Sequence, residues 1–193
     1  FIIINNNNSY MMRLDIGCGK NKKPGYIGLD RVSMPGVDIV CNLEKEKIPI
    51  EDNSIDEVYS MHFMEHVTDL LVVMEEVWRV SKNNAKITIA VPYFTSVGAF
   101  RDPTHKQFFS YDTFDHFTHT KKIPSFYSDA KFRVLKKRIL FYPSNSNIYG
   151  KIRFAHMFPF QLIANILPYF YEHSLLKLFS PRDLYVELEV IKK

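Results

Sequence analysis

The sequence predicts an α/β protein built on a doubly wound, mostly parallel sheet with an antiparallel closing strand. Three observations carry this expectation. A short apolar strand runs straight into a glycine loop, Asp15-Ile16-Gly17-Cys18-Gly19, and the next strand ends on an acid, Asp30. Strand-like runs then alternate with brief connections and one strongly periodic helix. The last segment, 184–191, alternates apolar and polar residues with a period of two.

Residues 14–16 and 26–29 form the first two expected strands. Residues 38–43 form the third, a buried-type run through Ile39, Val40 and Cys41. A charged loop over 44–53 leads to a fourth strand at 54–60. The helix spans 67–80, where Val67, Leu70, Leu71, Met74, Val77 and Trp78 recur at the 3.6-residue period. Asp69 near its start and Arg79 and Lys82 near its end suit the helix dipole. Asn83-Asn84 supplies the left-handed geometry that closes a helix. A fifth strand, 86–91, stops at Pro92. Residues 94–130 break the rhythm: they are aromatic, His-bearing and aperiodic. A strand at 132–142 carries the basic run Lys136-Lys137-Arg138. Residues 151–180 read as short helices interrupted by Pro159 and Pro168.

A chain of 193 residues suits one domain with a sizeable core. The apolar share of 46% against 24% charged is an ordinary globular balance, and the net charge of +4 tolerates anionic partners without demanding them. Two cysteines, Cys18 and Cys41, make no disulfide framework, which fits a reducing, cytoplasmic setting. No apolar run reaches the ~20 residues that span a bilayer. The first residues lack the charged start and cleavage site of a signal peptide; because the chain does not begin with Met, residues 1–11 read as a leader or vector remnant, with Met11 or Met12 as the expected start. Residues 12–193 then form the single domain.

Glycines at a strand end let the backbone approach a ligand that a Cβ would hold off. An acid at the end of the next strand accepts the hydroxyls of a ribose, and ligands of such sheets sit beyond the carboxyl ends of the strands. The third glycine and following helix of the dinucleotide fingerprint are missing, and no Gly-Lys-Ser/Thr ending marks a P-loop.

The stretch from Met12 to Asp30 resembles motif I and the acidic strand end of the class I S-adenosylmethionine (SAM)-dependent methyltransferases. Later segments are similar to the type-11-like group in order and spacing. These are Cys41-Asn42-Leu43-Glu44 with Ile48-Pro49-Ile50-Glu51-Asp52-Asn53-Ser54-Ile55-Asp56, then His62-Phe63-Met64-Glu65-His66, then Trp78-Arg79-Val80-Ser81-Lys82. The resemblance implies a Rossmann-like seven-stranded methyltransferase sheet with helices on both faces, and S-adenosylmethionine as cofactor. It departs from the group's pattern in three places: the helix after motif I is nearly absent, Asn42 replaces an acid, and Asn83-Asn84 replaces Pro-Gly.

By position, the resemblance has Asp15 hold the methionine ammonium or brace the glycine loop. Gly17 and Gly19 allow close approach, and Asp30 binds the ribose. Asn42 and Leu43 meet the adenine; Met61 and His62 flank the methionine moiety. It also makes 94–130 an acceptor-side insertion and 151–180 a helical cap. The expected reaction is methyl transfer to a hydroxyl or amine of a small-molecule or glycan acceptor. RNA or protein acceptors are the alternative; the basic stretch 131–138 prompts the first, but nucleic acid is not the expected partner.

Such a transfer needs a base, and histidine titrates in the right range. His105 in Arg101-Asp102-Pro103-Thr104-His105 is the first candidate, with Asp102 orienting its ring; His116 and His119 are weaker. Phe108, Phe109, Tyr111, Phe114 and Phe117 are either an acceptor wall or core. The apolar stretch 157–171 offers a peripheral membrane contact among several alternatives. His62-x-x-Glu65-His66 also matches an inverted zinc-peptidase signature, which would make a zinc-dependent hydrolase. That motif has no assured third ligand, and no metal is assigned from the sequence.

Overall fold

The computed structural model describes residues 3–4, 10–118, 128–142, 147–153 and 155–192. A small antiparallel pair, β1 (Ile3–Ile4) and β2 (Tyr10–Met11), precedes the main sheet. The sheet is formed by β3 (Arg13–Ile16), β4 (Ile27–Asp30), β5 (Ile39–Val40), β6 (Ile55–Met61), β7 (Ser81–Pro92), β8 (Lys131–Leu140) and β9 (Asp183–Ile191). Its order is β5-β4-β3-β6-β7-β9-β8. The first five strands in that order run parallel, and β9 lies antiparallel between β7 and β8. This is the seven-stranded sheet with an antiparallel closing strand that the resemblance implies. Strand order reverses at β3 and β6, so the ends of these two strands and of β4 define the crevice where ligands of such sheets bind.

The one long crossover helix is α1 (Leu70–Val80), between β6 and β7. It starts later than the period suggests. Val67 is extended, and the Asp69 carboxylate caps the amides of Leu71 and Val72. It ends at Val80, as the period suggests, but Ser81 closes it and Asn83-Asn84 does not. The Ser81 amide and hydroxyl both donate to Val77 O, and the chain then turns extended. The left-handed residue is Asn84 (φ 64°), inside β7 where the register with β6 shifts, rather than at the helix end. The third strand is short because only Ile39 and Val40 pair with β4.

The two faces of the sheet differ sharply. Leu14, Ile16, Val58, Ile87, Ile89, Leu184, Val186 and Leu188 are buried on one face, against which α1 presents Val73, Met74 and Val77. The connections β3–β4, β4–β5 and β5–β6 contain no helix. On the opposite face the register aligns Arg13, Glu57, Lys86, Glu189 and Arg133 across five strands. Charge alternates along this row, and Arg13–Glu57 (3.3 Å), Lys86–Glu187 (2.9 Å) and Arg133–Glu189 form ion pairs. A half-solvated strand alternates because its two faces meet different media, which is the pattern legible in β9.

Segment 94–118 crosses the carboxyl edge with a short helix, α2 (Val97–Arg101), and a helical turn at Thr113–Phe117. Phe109, Phe114 and Phe117 are core residues, while Phe108 stacks on the surface against Phe100. After β8 come α3 (Ile148–Arg153), α4 (Phe158–Ile166) and α5 (Pro168–His173). Pro159 and Pro168 each sit in the first turn of a helix, where the missing amide costs nothing. Phe158, Leu162, Ile166 and Phe170 remain exposed on these helices. No helix among the described residues is long and apolar enough to cross a membrane.

The charge row gives a stability test. Glu57→Lys would set three cations side by side in register, and like charges directly opposite destabilise a sheet. The expected loss is about 1 kcal/mol in urea denaturation, partly recovered in high salt. Unchanged stability would show that the row is not energetically coupled.

Candidate active site

The glycine loop is held by side-chain carboxylates in place of a helix. Asp15, on β3, is 3% exposed and accepts the Lys23 amide at 2.7 Å. Burial raises its pKa, opposed by the Lys23 hydrogen bond and charge. This bond ties Asp15 to the far end of the glycine loop. Asp38 accepts the Gly28 amide at 2.7 Å and the Lys22 ammonium at 2.7 Å. Asp30, at the end of β4, accepts the Gly19 amide at 3.0 Å on one oxygen and the Val32 amide at 3.1 Å on the other. A carboxylate has about four acceptor positions, so Asp30 keeps capacity for two ribose hydroxyls. Burial, reinforced by the charge of Asp15, pushes the Cys18 thiol within this loop up to about 11.

Gly17 has φ +70°, and a Cβ there would lie 2.5 Å from the Phe63 side chain. Two constraints thus converge on one glycine: a left-handed backbone and contact with the aromatic ring that follows β6. Gly19 is also left-handed, at φ +51°, but has open space where a Cβ would go.

A cavity of about 300 Å³ opens beyond these strand ends. Gly17, Asp30, Asn42, Leu43 and His62 line it. Asp15, Gly19 and Met61 are not among its lining residues: Asp15 and Gly19 act on the loop itself, and Met61 pairs with Ala90 inside the sheet. Asn42 is partly engaged, because its side-chain oxygen accepts the Glu44 amide. Glu44, Phe63, His66 and Thr104 also line the cavity without having been singled out as cofactor contacts. Each lies within or beside a motif, so proximity to a recognised residue was the available signal. Glu44 receives the Thr68 amide and Lys106 ammonium, and Thr68 and Lys106 together lower its carboxyl to about 2.

A second cavity, of about 540 Å³, adjoins the first and shares His62 and His66 with it. Asp102, His105 and Asp183 lie on its wall. His62 follows β6 with φ +54°, its amide donating to Ala90 O at 2.8 Å. Its ring sits between two carboxylates, with Nδ1 3.3 Å from Glu65 and Nε2 3.6 Å from Asp183. The hydrogen bond to Glu65, against the opposing effect of burial, holds the imidazole above its ordinary pKa, with Asp183 adding to the rise.

His105 is more enclosed, its side chain 7% exposed, with Nδ1 on Ala99 O and Nε2 4.0 Å from Glu65. The expected pairing of Asp102 with His105 is not the one formed. Asp102 accepts the Thr104 amide and hydroxyl, and Thr104 in turn contacts His66 Nδ1. His116 is exposed on the turn at Thr113–Phe117, and His119 lies outside the described residues. The zinc-peptidase geometry also fails locally. Met64–His66 is a single tight turn with His62 ahead of it in a left-handed conformation, so no α-helix presents His62 and His66 on one face.

Residues 27–89 match the family described as a methyltransferase domain. The fold is similar to a SAM-dependent methyltransferase from Archaeoglobus fulgidus, at 20% identity and TM-score 0.55, over 93% of this chain and 86% of that one. It is also similar to an S-adenosylmethionine-dependent methyltransferase from Mesorhizobium loti, at 13% identity and TM-score 0.52, over 93% and 90%. The [4+2]-cyclase SpnF shares the fold at 14% identity and TM-score 0.56, over 95% and 75%. No curated protein matches the chain in sequence. A shared fold does not by itself name a reaction; the family match covers the Asp30 strand end, the Asn42 loop and the His62 turn. Fold and matched segment together support a class I SAM-dependent methyltransferase with S-adenosylmethionine as cofactor.

The two glycines provide a contrast. Gly17→Ala carries both backbone strain and the Phe63 clash, and should cost more than about 2 kcal/mol and abolish S-adenosylhomocysteine binding. Gly19→Ala carries backbone strain alone, about 1 kcal/mol. Thermal melts and equilibrium binding would check the order; equal effects would remove Phe63 from the account.

Proposed function

We propose that the protein transfers a methyl group to a hydroxyl or amine of a small-molecule or glycan acceptor that enters through the second cavity. The observation that carries this reading is the shared wall. His62 belongs both to the cavity behind the glycine loop and to the polar cavity beside it. The cofactor supplies an activated methyl group on a sulfonium; the acceptor–carbon bond forms as the sulfur–carbon bond breaks, and sulfur keeps the electron pair. The chain's part is to orient the two partners and to take the acceptor's proton.

His62 replaces His105 as the imidazole in the receiving position. It is the more exposed of the two, with its side chain 39% accessible, and it stands on the seam between the cavities. Glu65 and Asp183 flank the imidazolium that forms. His105 and Asp102 stay on the acceptor side, His105 behind Glu65 and Asp102 at the rim.

The basic stretch on β8 gives little support to a nucleic-acid acceptor. Arg133 and Lys136 pair with Glu189 and Glu187, and Lys137 is buried against Asp112 and Asp115. An acceptor carried on a lipid would instead meet the exposed apolar side chains of α4 and α5.

His62→Asn is the test, because asparagine tolerates the left-handed backbone that His62 adopts. Turnover on any acceptor identified by screening glycans and small hydroxyl compounds should fall by about 100-fold or more, with the melting temperature little changed. Undiminished turnover would remove His62 as the proton acceptor.

A further inference from the structure

Glu65 is 1% exposed, and its Oε2 atom has no hydrogen-bond partner among the described residues. A buried carboxylate oxygen with no donor is costly unless something cationic or protic meets it. Its other oxygen, Oε1, lies 3.3 Å from His62 Nδ1, and two further imidazoles stand beside the carboxylate. Ligand-capable atoms of Glu65, His66 and His105 all lie within 4.8 Å of one another. The two rings also pack edge to face at 4.7 Å.

Hydrogen bonding fixes which nitrogens are free. His105 Nδ1 is 3.0 Å from the carbonyl oxygen of Ala99. A carbonyl only accepts, so Nδ1 carries the proton and the neutral ring has its lone pair on Nε2. That lone pair faces a Glu65 oxygen 4.0 Å away, an acceptor facing an acceptor. His66 is set by a relay. Thr104 donates its one hydroxyl proton to Asp102 at 2.7 Å, so its oxygen accepts from His66 Nδ1 at 2.9 Å. This leaves the His66 lone pair on Nε2. Imidazoles whose second nitrogen donates to a carbonyl, or through a hydroxyl to a carboxylate, have the outer shell typical of metal ligands.

We propose that Glu65, His66 and His105 bind a divalent transition-metal ion, with zinc the best match to two imidazoles and one carboxylate. Tetrahedral ligands about 2.1 Å from zinc stand about 3.4 Å apart, so separations of up to 4.8 Å close with shifts of about 1 Å shared between the side chains. Three protein ligands leave a position open, and the cluster lines the 540 Å³ cavity. This set is not the His62–His66 pair of the peptidase signature: His105, from the loop after β7, takes the place of His62. That loop is fastened to the site, since the Lys106 and Gln107 amides both donate to Glu65 O. The metal site stands independently of the acceptor assignment; in the methyl-transfer reading, its open position takes the acceptor oxygen.

The test is titration of chelator-treated full-length protein with Zn²⁺ and, for its visible spectrum, Co²⁺. One ion per chain is expected, with a cobalt spectrum of low coordination number. His66→Asn, His105→Asn and Glu65→Gln should each weaken binding at least 100-fold, and Thr104→Val, which breaks the relay without touching the ion, by about tenfold. S-adenosylhomocysteine binding is measured on the same samples. Cofactor binding without stoichiometric metal overturns this proposal and leaves the methyltransferase reading intact; metal binding without cofactor binding does the reverse. If Glu65→Gln fails to fold, the two histidine variants and Thr104→Val decide the matter. Metal affinity unchanged in those three overturns the site.

Discussion

The site depends on the abrupt reversal of the chain at the end of β6. His62 takes up a left-handed backbone, held by its amide on Ala90 O. This single reversal sets Phe63 against Gly17, drops Glu65 into the interior and leaves the His62 ring on the seam between the cavities. Backbone outside the common regions costs about 1–3 kcal/mol and persists where surrounding contacts over-determine it. Here the neighbouring strand, the glycine loop and the loop after β7 all bear on the turn.

The half of the sheet that carries the glycine loop is held by carboxylates and not by helices. With no helix between β3 and β4, Asp15, Asp30 and Asp38 each hold a backbone amide of the loop or of β4. Hydrogen bonds to charged acceptors are stronger than neutral ones, so three of them stiffen a loop of about ten residues that would otherwise be a poor platform. The same economy leaves one sheet face partly open to solvent, with Lys86 and Arg133 exposed and Arg13, Glu57 and Glu189 half-buried. The alternating row from Arg13 to Arg133 makes that face compatible with water.

Much of this was legible in the sequence because it is local. The α1 stripe, the period-two alternation of β9 and the glycine loop each declare themselves within a few residues. Gly17, Asp30, Asn42, Leu43 and His62 line one cavity, each at or just beyond a strand end. What the sequence concealed is set by side-chain direction and by distant pairing. Asp102 and His105 are three residues apart, yet Asp102 turns to Thr104, while His105 meets Glu65 from forty residues earlier. Met61 is adjacent to His62 but belongs to the strand. The aromatic run at 108–117 divided between core and surface according to the path of its backbone, which composition does not encode.

The central claim is that the cavity between Gly17 and Asp30 is the cofactor site. Titration calorimetry of S-adenosylhomocysteine into wild-type protein and Asp30→Ala tests it most directly. The account predicts one site per chain with micromolar affinity, weakened at least tenfold in the variant, as loss of hydrogen bonds to a charged acceptor requires. Absence of binding to the wild-type protein, or equal affinity in the two, would contradict it.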